Sequence, residues 1–355
     1  MADFKKAMDL VFDNKRKPSG FLASFFQPKE LDTIKVELQG RDVKAIYSVD
    51  VKLGTGGRHM DLAEYDKKEY TVPEYNDYSV IAEEDMLKTQ LGETEYTTQM
   101  AKVVNLVTDR QEAISDAQRR AEEKQAADAL FNGKVVLADG TEITFNKPAS
   151  HSIVVSNKWN TASGTPIDDI SAACKKCVDD GKIGTSVFHL ILEDKGLNAL
   201  LTNEKFQKGS NKEQGINRTN IGIPEEMTQG AMFHGQFSCG SFIINVWSYN
   251  EKYEIPTGYG FANEGTEVGY IQDGYGILIP DKPAFRRYYG ALNNVDGRVG
   301  GEIVGAKMNL QKAQQMPYAY DEVRGGSAVT IAGVKSRPLL VPVKAASFAT
   351  LSNLA

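Results

Sequence analysis

Residues 97–132 read TTQMAKVVNLVTDRQEAISDAQRRAEEKQAADALFN and lie in a longer stretch, Glu95 to Asn132, that contains neither glycine nor proline. Because the stretch is rich in Ala, Glu, Gln, Lys and Arg, it predicts one long helix. At 1.5 Å per residue this helix would be roughly 55 Å long, about the width of a compact domain. Gly133 follows at a position where helices commonly end. We therefore expect the helix to cross the subunit from end to end.

One side of the predicted helix is apolar. The residues of this expected core face recur every three or four positions and are Met100, Val103, Val107, Ile114 and Ala117. On the other side we expect solvent-exposed charge pairs one turn apart, Asp116 with Arg120 and Arg119 with Glu123. The helix should therefore pack on other parts of the subunit along a narrow stripe.

Composition excludes several classes of protein. The chain has 355 residues, 25% of them charged, and a net charge of −6, which argues against a dedicated nucleic-acid binder. It has no run of 18 apolar residues, and its N-terminus has no apolar core of a signal peptide, so we expect a cytosolic chain without a membrane span. Three cysteines, an odd number, favour reduced thiols over a disulfide framework.

The segment FLASFF, residues 21–26, lies at the root of an extended N-terminal arm. Its large apolar side chains need burial, and little local sequence is available to bury them. We therefore expect an intersubunit contact through Phe21, Leu22, Phe25 and Phe26.

Residues 45–82 contain two alternating apolar runs on either side of a glycine-containing segment, the pattern of a long two-stranded hairpin. A lone two-stranded ribbon is marginally stable in water, so it should lie on a neighbouring subunit. The residues of the expected contact at its tip are Gly54, Gly56, Gly57 and Arg58.

After the helix, the chain alternates between hairpins, helices and buried strands. Asp139-Gly140 predicts a tight turn within a hairpin over residues 135–146. A second helix should begin near Pro166 and end near Gly181, and SVFHLILED, residues 186–194, is typical of a strand buried on both faces. Near the C-terminus, Pro338 and Pro342 favour edge strands.

The search for chemistry finds no catalytic residue, metal site or cofactor site that stands out. Cys174 and Cys177 form a CxxC, yet they lie on the apolar face of the second helix, where buried structural thiols are the simplest interpretation. Cys239 with His189 or His234 could complete a zinc site, and a redox role also stays open. The glycine-rich segments lack the phosphate-binding pattern GxxxxGK[ST].

The order of these parts resembles the HK97-type major capsid fold, an α+β architecture with an N-terminal arm, an E-loop hairpin, a long spine helix and an axial domain. Within it, the sequence is similar to the lambda-type phage major capsid proteins, the phage capsid E family. The resemblance is carried by residues 21–38, the GTGGR hairpin tip, AADALFNGKVVLADG at the end of the spine, and the closing SRPLLVPVKAASFATLSNLA.

The resemblance implies a division of the chain. The N-terminal arm would span 1–44, the E-loop hairpin and its connection 45–94, and the spine helix with the peripheral domain 95–159. The axial domain would span 160–276, further peripheral strands 277–320, and the return to the axial domain 321–355.

The resemblance also implies a function: a non-enzymatic virion protein that self-assembles as hexamers and pentamers into an icosahedral shell around double-stranded DNA, bound without sequence specificity. Scaffold, portal and decoration proteins would be partners, and no membrane or cofactor would be involved. Assembly would take place in the host cytoplasm, with procapsid maturation by shell expansion. The alternatives are an HK97-like cellular compartment shell, a tail-tube protein, and a metal- or nucleotide-dependent enzyme using Cys174 and Cys177.

Overall fold

The structure is a computed structural model, and it describes residues 17–43, 63–87, 99–137, 139–210, 219–228, 230–258, 263–299, 302–324 and 327–355. The helices in these ranges are α1 (Phe21–Ser24), α2 (Glu83–Leu87), α3 (Gln99–Phe131), α4 (Pro166–Gly181), α5 (Asp194–Thr202) and α6 (Glu204–Ser210), with a 3₁₀ turn at Ala149–His151.

The strands are, in chain order, β1 (Gln27–Glu30), β2 (Lys35–Val43), β3 (Ala63–Thr71), β4 (Tyr75–Ile81), β5 (Lys134–Val136), β6 (Glu142–Thr144), β7 (Ser152–Val154), β8 (Val187–Leu192), β9 (Thr219–Thr228), β10 (Ala231–Cys239), β11 (Phe242–Tyr249), β12 (Lys252–Glu254), β13 (Glu267–Gly269), β14 (Gly276–Pro280), β15 (Phe285–Tyr289), β16 (Leu292–Val299), β17 (Glu302–Gln311), β18 (Met316–Arg324), β19 (Ser327–Ser336), β20 (Pro338–Pro342) and β21 (Ala349–Ser352).

The long helix α3 is confirmed over Gln99–Phe131, 33 residues, which corresponds to about 50 Å. Residues 95–98 of the predicted span lie outside the described ranges. Gly133 follows the helix with a φ of 66°, the left-handed conformation that glycine adopts at helix ends. The Lys147 ammonium donates hydrogen bonds to the carbonyls of Leu130 and Phe131, at 3.0 and 3.2 Å. The last carbonyls of the helix are therefore capped from a later segment of the chain.

A seven-stranded mixed sheet forms the larger core, with the strand order β7-β21-β14-β8-β11-β10-β9. The predicted buried strand is confirmed as β8, and it is the central strand. Its alternate side chains face opposite layers: Phe188, Leu190 and Leu192 pack with α4 and α5, whereas Ile191 packs with the spine helix α3 and with residues 21–26. The sheet is therefore covered on both faces.

Smaller sheets lie along the spine helix. One has the order β1-β15-β20 and another the order β18-β19-β4. Ala129 of the helix packs in one cluster with Leu339 and Val341 of β20. Pro338 and Pro342 lie in β20, which is an edge strand as predicted. The hairpin across Asp139-Gly140 is likewise found, as β5 and β6.

The predicted hairpin over residues 45–82 is wrong in its register. The paired strands are β2 and β3, with Lys35 opposite Thr71 and Val43 opposite Ala63. The segment β4 pairs instead with β19, in the sheet β18-β19-β4 that packs on the spine helix. Pro73 separates β4 from β3, because proline cannot donate a ladder hydrogen bond. Residues 44–62, between β2 and β3, lie outside the described ranges.

Two boundaries of the predicted division also differ from the sheet topology. The strand β14 belongs to the seven-stranded sheet, so this sheet extends to Pro280, beyond the expected boundary at residue 277. Among the described residues beyond 321, β19 and β20 pair in the two smaller sheets, and the chain rejoins the seven-stranded sheet at β21. The pairing partners of these strands are distant in sequence, which is why local patterns did not fix the boundaries.

Candidate functional site: the junction of arm, spine helix and sheets

The site is centred on Glu123, which projects from the spine helix into the interior and is 1% exposed. Its two carboxylate oxygens accept hydrogen bonds from the backbone amides of Leu22 and Ala23, at 2.7 and 2.9 Å. The Tyr249 hydroxyl donates a third bond, at 2.7 Å. Burial raises the pKa of the Glu123 carboxyl, and the three donors oppose that rise. One side chain thus binds the arm and the seven-stranded sheet to the spine helix.

Glu122, the preceding residue, points toward the three-stranded sheet. Its Oε2 lies 3.1 Å from Arg287 Nη1 and accepts a hydrogen bond from the Tyr289 hydroxyl at 3.0 Å. Burial raises the pKa of Glu122, while the Arg287 charge lowers it. The adjacent carboxylates therefore connect the spine helix to different sheets, Glu123 to the seven-stranded sheet and Glu122 to the three-stranded sheet.

These contacts correct the predicted charge pairs on the spine helix. Glu123 is interior and does not form the expected surface pair with Arg119; the partner of Arg119 is Asp116, with 3.6 Å between Nη1 and Oδ1. The helical periodicity of apolar residues predicts that charged side chains face solvent. It gives no information about a buried carboxylate whose hydrogen-bond donors lie far away in the sequence.

The arm root, defined here as residues 21–26, is buried within its own subunit. The side chains of Phe21, Leu22 and Phe26 are at most 6% exposed. The ring of Phe21 lies 5.3 Å from that of Trp247, and Phe26 lies 5.0 Å from Phe285. Phe25 is half-buried. The prediction that these residues contact a neighbouring subunit is therefore wrong for the three buried side chains, because the sheets of the same chain provide their cover.

The predicted core face of the spine helix is also displaced. Ala117 is exposed, Val103, Val107 and Ile114 are half-buried, and the side chain of Met100 lies outside the described part of the chain. The helix instead buries a mixed face, and its fully covered members are Gln118, Glu122, Glu123, Gln125, Ala126, Ala127, Ala129 and Leu130. Much of this face is polar because side chains there reach the sheets: Gln118 Nε2 donates to the Val334 carbonyl at 2.9 Å.

The predicted hairpin tip, Gly54, Gly56, Gly57 and Arg58, lies outside the described residues. The described base of the ribbon is polar on its surface, with ion pairs between Lys35 and Glu69 at 2.6 Å and between Lys67 and Glu37 at 3.0 Å. At its foot, the Tyr70 ring packs 5.8 Å from Phe145. In the described structure β2 and β3 form a sheet of two strands.

The cysteines are free and buried. Burial raises the pKa of Cys177 to about 12 and that of Cys239 to about 11, and it raises the pKa of Cys174 as well. The thiolate is the form that binds metals and attacks substrates, so these thiols are held in the unreactive form. Within the described ranges, no three His, Cys, Asp or Glu side chains form a metal-binding group. No helix there is long and apolar enough for a membrane span.

A long helix beside a mixed sheet, preceded in the chain by an arm and a two-stranded ribbon, defines an HK97-like shell-protein fold. The sequence profile of the family described as phage major capsid protein E matches residues 8–316. The chain belongs to this family of phage major capsid proteins, the structural proteins of the virion head.

Solved structures show the same fold at low sequence identity. A putative capsid protein of a prophage of E. coli CFT073 has a TM-score of 0.63 and 18% identity, covering 94% of this chain and 93% of that one. The mature capsid of bacteriophage PhiM1 has a TM-score of 0.53 and 8% identity, covering 99% and 91%. The capsid of Myoviridae phage XM1 has a TM-score of 0.50 and 9% identity, covering 97% and 95%. No match was found among curated protein sequences.

Proposed function

We propose that the chain self-assembles as hexamers and pentamers into a closed icosahedral shell that encloses double-stranded DNA, and that it catalyses no reaction. Family membership establishes a capsid protein; the capsomer types, the DNA cargo and the absence of catalysis are the proposal. Assembly would take place in the host cytoplasm, with scaffold, portal and decoration proteins as partners.

The main support for assembly is the ribbon of β2 and β3. Each strand has nine residues, which corresponds to about 30 Å. In the described structure the ribbon is a two-stranded sheet, and such a ribbon is marginally stable alone. A neighbouring subunit in a closed shell would supply the missing cover, with the tip residues Gly54, Gly56, Gly57 and Arg58 in that contact.

The spine helix offers a second contact surface. Ala117 is exposed, and Val104 is 56% exposed although it is a large apolar residue. Apolar side chains left on the surface of a subunit often mark interfaces. We infer that the half-buried stripe of Val103, Val107 and Ile114, with the exposed Val104 and Ala117 along its two edges, faces a neighbouring subunit.

The absence of catalysis is supported by the state of the candidate nucleophiles. Cys174 and Cys177 are fully buried in the helix α4. Burial favours their neutral thiols. The buried carboxylates of the spine helix are engaged with protein donors: Glu123 binds the arm root and Tyr249, and Glu122 binds Arg287 and Tyr289.

The cargo is tested by purifying particles from cells that express the chain with its candidate scaffold and portal partners. The particles are treated with nuclease, and the protected nucleic acid is then extracted and sized. Double-stranded DNA protected inside closed particles supports the proposal. Particles that hold only protein would favour a cellular compartment, and stacked open rings would favour a tail tube.

A further inference from the structure

The hydrogen bonds of His189 fix its protonation state. The Trp247 indole N–H can only donate, and it lies 3.0 Å from His189 Nδ1, so Nδ1 must accept. His189 Nε2 lies 3.2 Å from an Asp281 oxygen and therefore carries the proton that it donates to that carboxylate. Both bonds are satisfied only by the neutral imidazole protonated at Nε2.

The arm root rests on this histidine and tryptophan. The Phe25 ring meets the His189 ring in an edge contact, with 5.6 Å between centroids, and the Phe21 ring lies 5.3 Å from that of Trp247. Glu123 binds the amides at the start of the same segment. The position of the arm root thus depends on one polar anchor and on one aromatic platform.

A second proton on His189 would disturb the platform. It would place an N–H on Nδ1 opposite the Trp247 N–H, so that two donors would face each other. Burial lowers the pKa of His189, and Asp281 partly counters this. Asp281 is the charged group facing the imidazole, and the residues paired with His189 on the adjacent strands, Asn245 and Ile279, are uncharged.

We propose that the arm root is a pH-responsive strap that is docked while His189 is neutral and is released when His189 is protonated. The sense of the effect follows from linkage. Part of the burial of His189 comes from Phe25, so release of the strap moves the pKa of His189 back toward its ordinary value of about 6.5. The released form then binds more protons in mild acid, and docking weakens as the pH falls. This inference concerns the subunit itself and goes beyond the proposed function.

Glu123 responds to acid in the opposite sense. Burial raises its pKa, so protonation relieves a buried charge while the strap is docked. The ionisable groups that face it are Tyr249, Tyr270 and Arg287. A test must therefore compare two proteins that both contain Glu123 and that differ only in whether residue 189 can take up a proton.

Hydrogen–deuterium exchange of the amides of residues 22–26 is measured for the full chain at pH 7.5 and pH 5.0, in wild type and in His189→Asn. The asparagine oxygen can accept the indole N–H but does not titrate. Because the variant also lacks the ring contact with Phe25, each protein is compared with itself, as the loss of amide protection between pH 7.5 and pH 5.0. We expect wild type to lose several-fold more protection than the variant, up to about ten-fold for each unit by which docking lowers the pKa. Equal losses of protection in the two proteins would overturn the proposal.

Two further variants sharpen the test. His234→Asn changes another histidine, whose Nε2 is paired with Ser248 Oγ at 2.8 Å, and it should leave the acid-induced exchange of the arm root as in wild type. Asp281→Asn removes the carboxylate that favours the imidazolium, so the midpoint of release should move to lower pH. An unchanged or higher midpoint in Asp281→Asn, or loss of the response in His234→Asn, would contradict the assignment to His189.

Discussion

Glu123 and Tyr249 are 126 positions apart in the chain, and the tyrosine hydroxyl lies 2.7 Å from the glutamate Oε1. Both side chains are 1% exposed. Through this contact the C-terminal third of the spine helix is fixed to the end of β11, and the arm root is held by the same carboxylate.

Glu123→Ala tests this contact. The substitution leaves the amides of Leu22 and Ala23 and the Tyr249 hydroxyl buried without their acceptor. Each buried unsatisfied group costs about 1–3 kcal/mol, so we expect the free energy of unfolding to fall by about 3 kcal/mol or more. The measurement is urea unfolding of the unassembled subunit. Glu112→Ala, an exposed position on the same helix, is the control and should change little. If Glu123→Ala lowered the free energy of unfolding by less than about 0.5 kcal/mol, the carboxylate would not be the anchor of the arm root.

Ala129→Asp and Ala117→Asp distinguish the two sides of the spine helix. Ala129 is fully buried, so an aspartate there buries an unpaired charge and should lower the free energy of unfolding by several kcal/mol, about 3 or more. Ala117 is exposed, and the same change there should leave the melting temperature of the isolated subunit nearly unchanged. Similar losses at both positions would show that the buried face is assigned incorrectly.

Gly133→Ala tests the end of the spine helix. Gly133 has a φ of 66°, and a Cβ there would lie 2.7 Å from Lys147 Cβ, whereas Gly140 has a φ of 82° with open space around it. Both substitutions incur backbone strain of about 1 kcal/mol. Only Gly133→Ala adds a clash, so it should lower the melting temperature clearly more than Gly140→Ala. Equal melting temperatures for the two variants would argue against this close approach.

The thiol of Cys177 predicts a pH dependence of stability. Its pKa is raised to about 12 by burial, against about 8.5 for a free cysteine. Between these values the unfolded chain has lost the thiol proton and the folded chain has kept it, so stability falls as pH rises through this window. Between pH 9 and pH 11, Cys177→Ala should make the free energy of unfolding fall less steeply with pH. The difference in slope corresponds to about one proton, or up to about 1.4 kcal/mol per pH unit. Urea unfolding across this range measures the slopes, and parallel slopes would contradict the prediction.

Replacing residues 44–62 by a flexible Gly/Ser linker of equal length tests the ribbon. The described core should keep its fold, because β2 and β3 remain and β4 packs elsewhere. Assembly should fail, since the replaced residues include the predicted contact at the tip. Circular dichroism measures the fold and sedimentation velocity measures assembly. Wild-type shells from this variant would refute the contact.

Local sequence patterns predicted the parts of the fold that depend on near neighbours. The glycine-free run gave α3, Asp139-Gly140 gave a hairpin, and the apolar run of β8 gave the central strand. The patterns failed where partners are remote: Glu123 binds Leu22 across 101 positions, and Glu122 binds Arg287 across 165. A polar side chain on a helix is assigned to solvent unless its distant partners are known. The arm root was misplaced for the same reason, because its cover comes from β11 and β15.

Electron cryomicroscopy of particles formed by the full chain with its assembly partners would show whether each shell subunit binds its arm root inside its own fold. We expect closed icosahedral shells of hexamers and pentamers, in which the ribbon of each subunit lies on a neighbour and Glu123 contacts the arm root of the same chain. Subunits that remain monomeric at high concentration, or shells in which the arm root crosses to another subunit, would contradict this expectation.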